Sequence, residues 1–149
     1  MKVRFKRLNE NAVMPHKAHR TDAGFDLVAT SRTIDANGCV SYGTGIAVEI
    51  PEGYVGLVFP RSSICKYDCS LSNAVGVIDS NYRGEISAKF RPALKYNLTV
   101  FVSDEPRFYE VGERIAQLVI IPYPEVEFVE SDELSDSERG TGGYGSTGK

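Results

Sequence analysis

The residues from Arg139 to Lys149, Arg139-Gly-Thr-Gly-Gly-Tyr-Gly-Ser-Thr-Gly-Lys149, carry groups that suit a nucleotide. Arg139 can pair with a phosphate through two parallel hydrogen bonds. Successive glycines let backbone N–H groups curl around an anion. Ser146 and Thr147 add hydroxyl donors, and Tyr144 offers a flat face on which a base can stack, a contact worth about 1–3 kcal/mol. A chain segment of this kind orders on binding and then acts as a lid that excludes water. Gly143 to Lys149 also fits the opening of the P-loop pattern G-x-x-x-x-G-K. That motif needs a preceding buried strand and a following Ser/Thr and helix. None follows Lys149 here, so a P-loop is not expected.

Other positions admit two readings. Asp79, in Asp79-Ser-Asn, is either a turn aspartate capping its loop or a general base. Asp26 near a strand start is either hydrogen-bonded locally or part of a site. Gln117 lies in a strongly apolar run and needs a polar partner. Arg114 is either structural, pairing with a carboxylate, or part of the site. The hydroxyls of Ser62 and Ser63 sit where a short helix over residues 62–68 would be capped. Cys39, Cys65 and Cys69 are spaced poorly for zinc, even with His16 and His19, and are expected as buried or half-buried free thiols.

These residues need a scaffold, and the 149 positions suffice for one domain with a real core. With 42% hydrophobic and 25% charged residues, the composition is that of a soluble globular protein. A formal charge of −3 gives no reason to expect a nucleic-acid polymer as partner. No apolar run is long enough to span a bilayer, and the opening MKVRFKRLNE lacks the apolar stretch of a secretory signal. A cytosolic protein is expected, or, for a viral source, one in the host cytosol or nucleus.

The pattern is nearly all strand. Val3 and Phe5 alternate with basic residues, as in a half-buried strand. Ile46, Val48 and Ile50 alternate before the turn Pro51-Glu52-Gly53. Runs follow at 54–59, 86–90, 98–102 and 115–121, and Val126, Phe128 and Val129 suggest a last short strand. Many short strands punctuated by Gly, Pro, Asn and Asp predict a sandwich, jelly roll or closed barrel. The stretch 125–138 is acidic, without a basic residue, and reads as a solvated linker to a flexible arm.

Five segments stand out in order: Ala23-Gly-Phe-Asp26-Leu27, Pro60-Arg61-Ser62-Ser63, Gly76-Val-Ile-Asp79-Ser-Asn-Tyr82-Arg-Gly-Glu85, Gly112-Glu-Arg114-Ile-Ala-Gln117-Leu, and the arm from Arg139. At this spacing they resemble the five motifs of the trimeric dUTPase family. Tyr144 stands where that family commonly has Phe, Asn81 where it often has Asp, and Ser63 where it often has Gly.

The resemblance implies an all-β jelly roll, or distorted barrel, over residues 1–134, with an arm at 135–149. It implies a homotrimer whose three sites are each built from three subunits, dUTP as substrate and Mg²⁺ as cofactor, with no membrane or nucleic-acid partner. A regulatory protein partner would leave no pattern in such a sequence. Asp79 is implied to be the base that activates water, and Asp26 to hold Mg²⁺ through water. Arg61, Ser62, Ser63, Gln117 and Arg139 are implied to bind phosphates. Asn73, Gly76, Val77, Ile78 and Ser87 are implied to read uracil, and Tyr82 to lie against the deoxyribose. Tyr144, Gly145, Ser146 and Thr147 are implied to close the arm over the nucleotide. A dCTP deaminase shares this fold family, but the hairpin and the aromatic arm match dUTPase better.

Overall fold

Short apolar runs bounded by turn residues become ten strands in the computed structural model, which describes residues 1–93 and 107–143. They are β1 (Arg4–Arg7), β2 (Phe25–Val28), β3 (Ser31–Ile34), β4 (Val40–Gly43), β5 (Ile46–Glu49), β6 (Tyr54–Pro60), β7 (Cys69–Leu71), β8 (Gly76–Ile78), β9 (Ser87–Pro92) and β10 (Arg114–Pro122). The ladders between these strands are antiparallel. One four-stranded sheet runs β2-β10-β6-β8, another runs β3-β4-β9-β7, and β1 pairs with β5. The fold is the expected all-β jelly roll.

The two larger sheets bury one shared core. Leu27, Val58, Ile115 and Leu118 come from the first sheet; Val40, Tyr42, Leu71, Ala88 and Phe90 come from the second. Each such side chain contributes about 1.5–3 kcal/mol on burial. Tyr42, Phe90 and Tyr109 pack edge-on or tilted at centroid distances of 5.5–6.4 Å. The Tyr42 hydroxyl is satisfied by donating to the Tyr109 carbonyl at 2.6 Å. Burial pushes its pKa up to about 12.

The turn at Pro51-Glu52-Gly53 forms as expected, with Gly53 at φ 78 and the Tyr54 N–H donating to the Pro51 carbonyl at 3.1 Å. In β5 the apolar set is wider than alternation suggested, because Ala47 is buried along with Ile46 and Val48. Four other expectations are corrected. Phe5 is 40% exposed, since among the described residues β1 pairs only with β5 and no further layer covers its outer face. Val126, Phe128 and Val129 form no strand, because no backbone among the described residues pairs with them; Phe128 is 97% exposed. The helical piece is a 3-10 turn over Ser62–Lys66, and Arg61, not a serine, holds its cap position without a side-chain cap. Cys65 on that turn is exposed, whereas Cys39 is half-buried and Cys69 buried. The expected strand at 98–102 lies outside the described residues.

Candidate active site

β10 positions the first cluster. Its pairing with β2 shifts register between Arg114 and Ala116, and Ile115 and Ala116 are both buried. Such a bulge offsets the strict two-residue alternation of a strand. Arg114 and Gln117, three positions apart, can therefore both turn toward Asp26, which sits opposite Gln117. Asp26 is 12% exposed at its side chain and takes Arg61 Nε on Oδ1 at 2.6 Å and Arg114 Nη1 on Oδ2 at 3.1 Å. The two readings of Arg114 thus meet in one contact: it pairs with a carboxylate, and that carboxylate lines the candidate groove.

Arg61 also reaches Ser63 Oγ at 3.3 Å. Gln117 finds its polar partner in the Pro60 carbonyl, to which Nε2 donates at 3.0 Å. A groove of about 360 Å³ opens over Asp26, Arg61, Ser62 and Gln117, with Asp22 on its rim. Because no serine is used as a cap, Ser62 keeps its hydroxyl free for a ligand. The 3-10 turn is only five residues long, so its dipole adds less than a full helix end would.

Gly24 makes room for Gln117. A Cβ there would overlap Gln117 Oε1 and stand 3.2 Å from the Gln117 Cβ, so the amide would have to shift from the Pro60 carbonyl. Gly24→Ala is therefore expected to fold with a stability change within about 1 kcal/mol. The displaced amide should lower kcat/KM by roughly 10-fold or more. Thermal melts and steady-state kinetics on the same preparation check both halves.

The second cluster lies on the hairpin after β7. Asn73, Gly76 and Ser87 line one groove of about 360 Å³, floored by Val58 and Leu71. Ala74 sits at φ 59, and the Val75 N–H donates to the Asn73 carbonyl at 2.6 Å. A non-glycine residue in that region stores about 1 kcal/mol or more of strain, which rigid surroundings must hold. Val77 is 61% exposed, Ile78 packs partly against the core, and the chain then turns sharply, with the Tyr82 N–H donating to the Asp79 carbonyl at 3.1 Å. Arg83 holds the turn by donating to the carbonyls of Ser80 and Tyr82 at 2.6 and 2.9 Å. The Tyr82 ring lies across Gly84, and its hydroxyl donates to the Glu85 carbonyl at 3.0 Å.

Asp79 behaves unlike the loop aspartates. Asp22 and Asp35 each accept backbone N–H groups of their own loops, and Asp68 accepts the Arg107 N–H. Among the described residues the Asp79 carboxylate has no such partner. It lines an open groove of about 540 Å³ with Tyr54, Ser80, Asn81 and Tyr123. The capping alternative for Asp79 is therefore not what the backbone uses.

The two clusters are not together in one chain. Asp26 is level with Gln117, Gln117 with Phe59, and Ile78 with Gly56, at opposite edges of the four-stranded sheet. Three steps between strands and four residues along them separate Asp26 from Asp79 by about 20 Å. Arg139 is exposed and far along the chain, its Nε donating to the Gly142 carbonyl at 2.8 Å. Tyr144, Gly145, Ser146 and Thr147 lie outside the described residues. Sequence reasoning missed Asp22, Tyr123 and Lys89 as groove residues. Lys89 was legible, since it stands two positions after Ser87 and so shares its face of the strand.

The family model described as dUTPase matches residues 10–148. The chain is 44% identical to a deoxyuridine 5'-triphosphate nucleotidohydrolase of Corynebacterium glutamicum, over 99% of this chain and 95% of that protein. It is similar to the Staphylococcus bacteriophage 80alpha dUTPase solved with dUpNHpp, at 32% identity and a TM-score of 0.82 over 99% of each chain. A mutant dUTPase from phage phi11 of S. aureus, whose structure concerns the coordination of a structural Mg(II) ion, matches at 28% identity and a TM-score of 0.73. That match covers 91% of this chain and 100% of the phage protein.

Proposed function

The chain belongs to the dUTPase family and hydrolyses dUTP, and on that premise we propose that Asp79 activates the attacking water at a site assembled from several copies of the chain. The carrying observation is the free Asp79 carboxylate, held on a tight turn at a sheet edge and spent on no cap. It takes a proton from water as the water oxygen bonds to the α-phosphorus. The bond from that phosphorus to the bridging oxygen breaks, and dUMP and pyrophosphate separate. Positioned general bases contribute about 10²–10⁴-fold to rate.

Arg61, Ser62 and Gln117 bind and orient the phosphate chain, with Arg61 itself aimed by Asp26 and Ser63. The groove at Asn73, Gly76 and Ser87 takes the uracil, read by backbone groups and the Asn73 amide. Cytosine there leaves donors and acceptors mismatched at about 1–3 kcal/mol per buried group. Val77 and Ile78 shape the loop, and the Tyr82 ring leaves no room for a 2′-hydroxyl. The jelly roll of residues 1–134 carries these groups. The arm of 135–149 brings Arg139 to the outer phosphates and Tyr144 to the base, with Gly145, Ser146 and Thr147 closing around the nucleotide.

Separation supports sharing between subunits. A carboxylate, its water, the phosphate and a hydrated cation span roughly 10–12 Å, about half the distance between Asp26 and Asp79 within one chain. The apolar residues Val126, Phe128 and Val129, exposed on their own chain, suit cover by a second copy. A homotrimer gives each site Asp26 and Arg61 from one subunit, Asp79 from another and the arm from the third.

Mg²⁺ suits this chemistry. Asp26 offers hard oxygen beside the phosphate groove, but both its oxygens already face guanidinium groups. That arrangement favours contact through coordinated water over direct ligation. When bound with the triphosphate, Mg²⁺ supplies neutralisation of phosphate charge. In the cell the reaction keeps uracil out of DNA and supplies dUMP for dTMP synthesis.

A nucleotide panel with pyrophosphate release as readout tests the proposal. dUTP should be turned over at least 10²-fold faster, in kcat/KM, than dCTP or dTTP. EDTA should abolish the rate and Mg²⁺ restore it. Indifference to EDTA would remove the metal from the mechanism, and ammonia released from dCTP would favour the deaminase reading.

A further inference from the structure

The 3-10 turn that carries Ser62 and Ser63 rests on two tyrosines that lie outside the five motifs. Tyr67 closes the turn, its N–H donating to the Ile64 carbonyl at 3.0 Å, and its ring stacks on Tyr109 at a centroid distance of 3.8 Å. Both residues are fixed by their surroundings. The Tyr67 hydroxyl donates to Glu113 Oε1 at 2.8 Å, and Glu113 Oε2 accepts the Glu110 N–H at 2.7 Å. The Asp68 N–H donates to the Arg107 carbonyl at 2.8 Å, and the Asp68 carboxylate accepts the Arg107 N–H at 3.0 Å, which zips the two segments together. The Tyr109 carbonyl accepts the Tyr42 hydroxyl. Tyr109 is almost fully buried, yet its own hydroxyl makes no hydrogen bond among the described residues. Burial raises its pKa, while Ser63 and Arg61, close to the hydroxyl but not at bonding geometry, act to lower it.

We propose that Tyr109 is a positioning residue: its hydroxyl takes over Ser63 when the phosphate chain draws Arg61 away, and so holds the phosphate turn in its bound form. Arg61 has five N–H donors. Its Nε is committed to Asp26 at 2.6 Å. Its Nη1 is spent on two long bonds, to Ser63 Oγ at 3.3 Å and to the Arg114 carbonyl at 3.5 Å. A two-bond grip on phosphate that keeps the Asp26 anchor uses Nη1 together with Nη2. The two long Nη1 bonds are therefore the ones that give way. Ser63 Oγ is then left without a partner, and the Tyr109 hydroxyl beside it already lacks one. A buried hydroxyl left unbonded is costly. The free chain carries that cost, and the substrate complex relieves it, so the new bond favours the bound state alone. The stack on Tyr67 leaves the Tyr109 ring little freedom, which makes its hydroxyl a preorganised partner.

This inference rests on reading Arg61, Ser62 and Ser63 as phosphate-binding groups, and the experiment separates the two. Wild type, Tyr109→Phe, Ser63→Ala, the double variant and Arg61→Gln are compared by thermal melting, steady-state kinetics, and affinity for a non-hydrolysable dUTP analogue and for deoxyuridine. Tyr109→Phe keeps the stack and removes one oxygen that the free fold does not bond, so it should melt no lower than wild type. Its affinity for the analogue should fall about 5-fold, with deoxyuridine binding unchanged. The KM for dUTP should rise by a similar factor, with kcat nearly kept. Ser63→Ala removes the hydroxyl that Tyr109 would hold, so adding Tyr109→Phe to it should cost nothing further. Unchanged analogue affinity in Tyr109→Phe, with Arg61→Gln still losing it, would overturn the role of Tyr109 and leave the phosphate groove standing. So would an equal loss for deoxyuridine, or a loss in the double variant that multiplies the two single ones. Full analogue affinity in Arg61→Gln would overturn the phosphate reading and Tyr109 with it.

Discussion

Asp79→Asn should reduce kcat by about 10²–10⁴-fold while a non-hydrolysable dUTP analogue still binds with nearly wild-type affinity. The substitution keeps size and polarity and removes only the capacity to take a proton from water. Stability should barely change. The carboxylate caps no backbone N–H and pairs with no cation among the described residues, so nothing in the fold depends on its charge. The same exchange at Asp26 should look different, because Arg61 and Arg114 both lose part of an anion. Breaking such a partly buried cluster costs stability as well as activity. Full retention of turnover in Asp79→Asn would remove the base from the mechanism.

Truncation before Arg139 should lower kcat/KM by roughly 10²-fold or more and leave the fold and the proposed trimer intact. Residues 125–138 are exposed, and β10 ends at Pro122. The Tyr123 N–H still donates to the Gly53 carbonyl at 3.0 Å, which ties the chain to the body before the arm departs. Among the described residues, removing 139–143 therefore deletes no core contact. It does delete the Arg139 guanidinium and the Tyr144 ring, to which the proposal assigns the outer phosphates and the cover over the nucleotide. Circular dichroism and size-exclusion chromatography should match the full chain while the steady-state rate falls.

The sequence and the fold inform each other unevenly. Strands of six or more residues, β6, β9 and β10, carry enough alternation or apolar content to be read directly. β2, β3, β4, β7 and β8 have only three or four residues each, too few for a period of two to stand out from chance. Their existence follows from pairing: β8 forms because Gly76 lies flat against Val58, a tertiary fact invisible in Gly-Val-Ile. The failed strand at Val126–Val129 has the opposite cause. Its side chains have strand character, but a strand needs a partner, and none is found among the described residues.

Site residues were legible as motifs, and their arrangement was not. The bulge in β10, which lets Arg114 reach Asp26 while Gln117 stays level with it, has no mark in Arg-Ile-Ala-Gln. Likewise, Gly24 reads as a simple break, yet its lost Cβ is what admits Gln117. The turn at Ala74 adopts φ 59 without the glycine or asparagine that would announce it. Asp79 was ambiguous for a physical reason: a capping aspartate and a catalytic one occupy the same kind of turn. Only the list of donors around the carboxylate distinguishes them.

The central claim is that catalytic groups about 20 Å apart in one chain meet across subunits. Mixing Asp79→Asn chains with arm-truncated chains, after dissociation and joint reassembly, tests it most directly. Each parent is nearly inactive alone. In mixed trimers some sites combine an intact Asp79 from a truncated chain with an intact arm from an Asp79→Asn chain. Random assembly at equal amounts should restore about a quarter of wild-type activity. Activity no higher than the parents' would mean that each chain builds its own site.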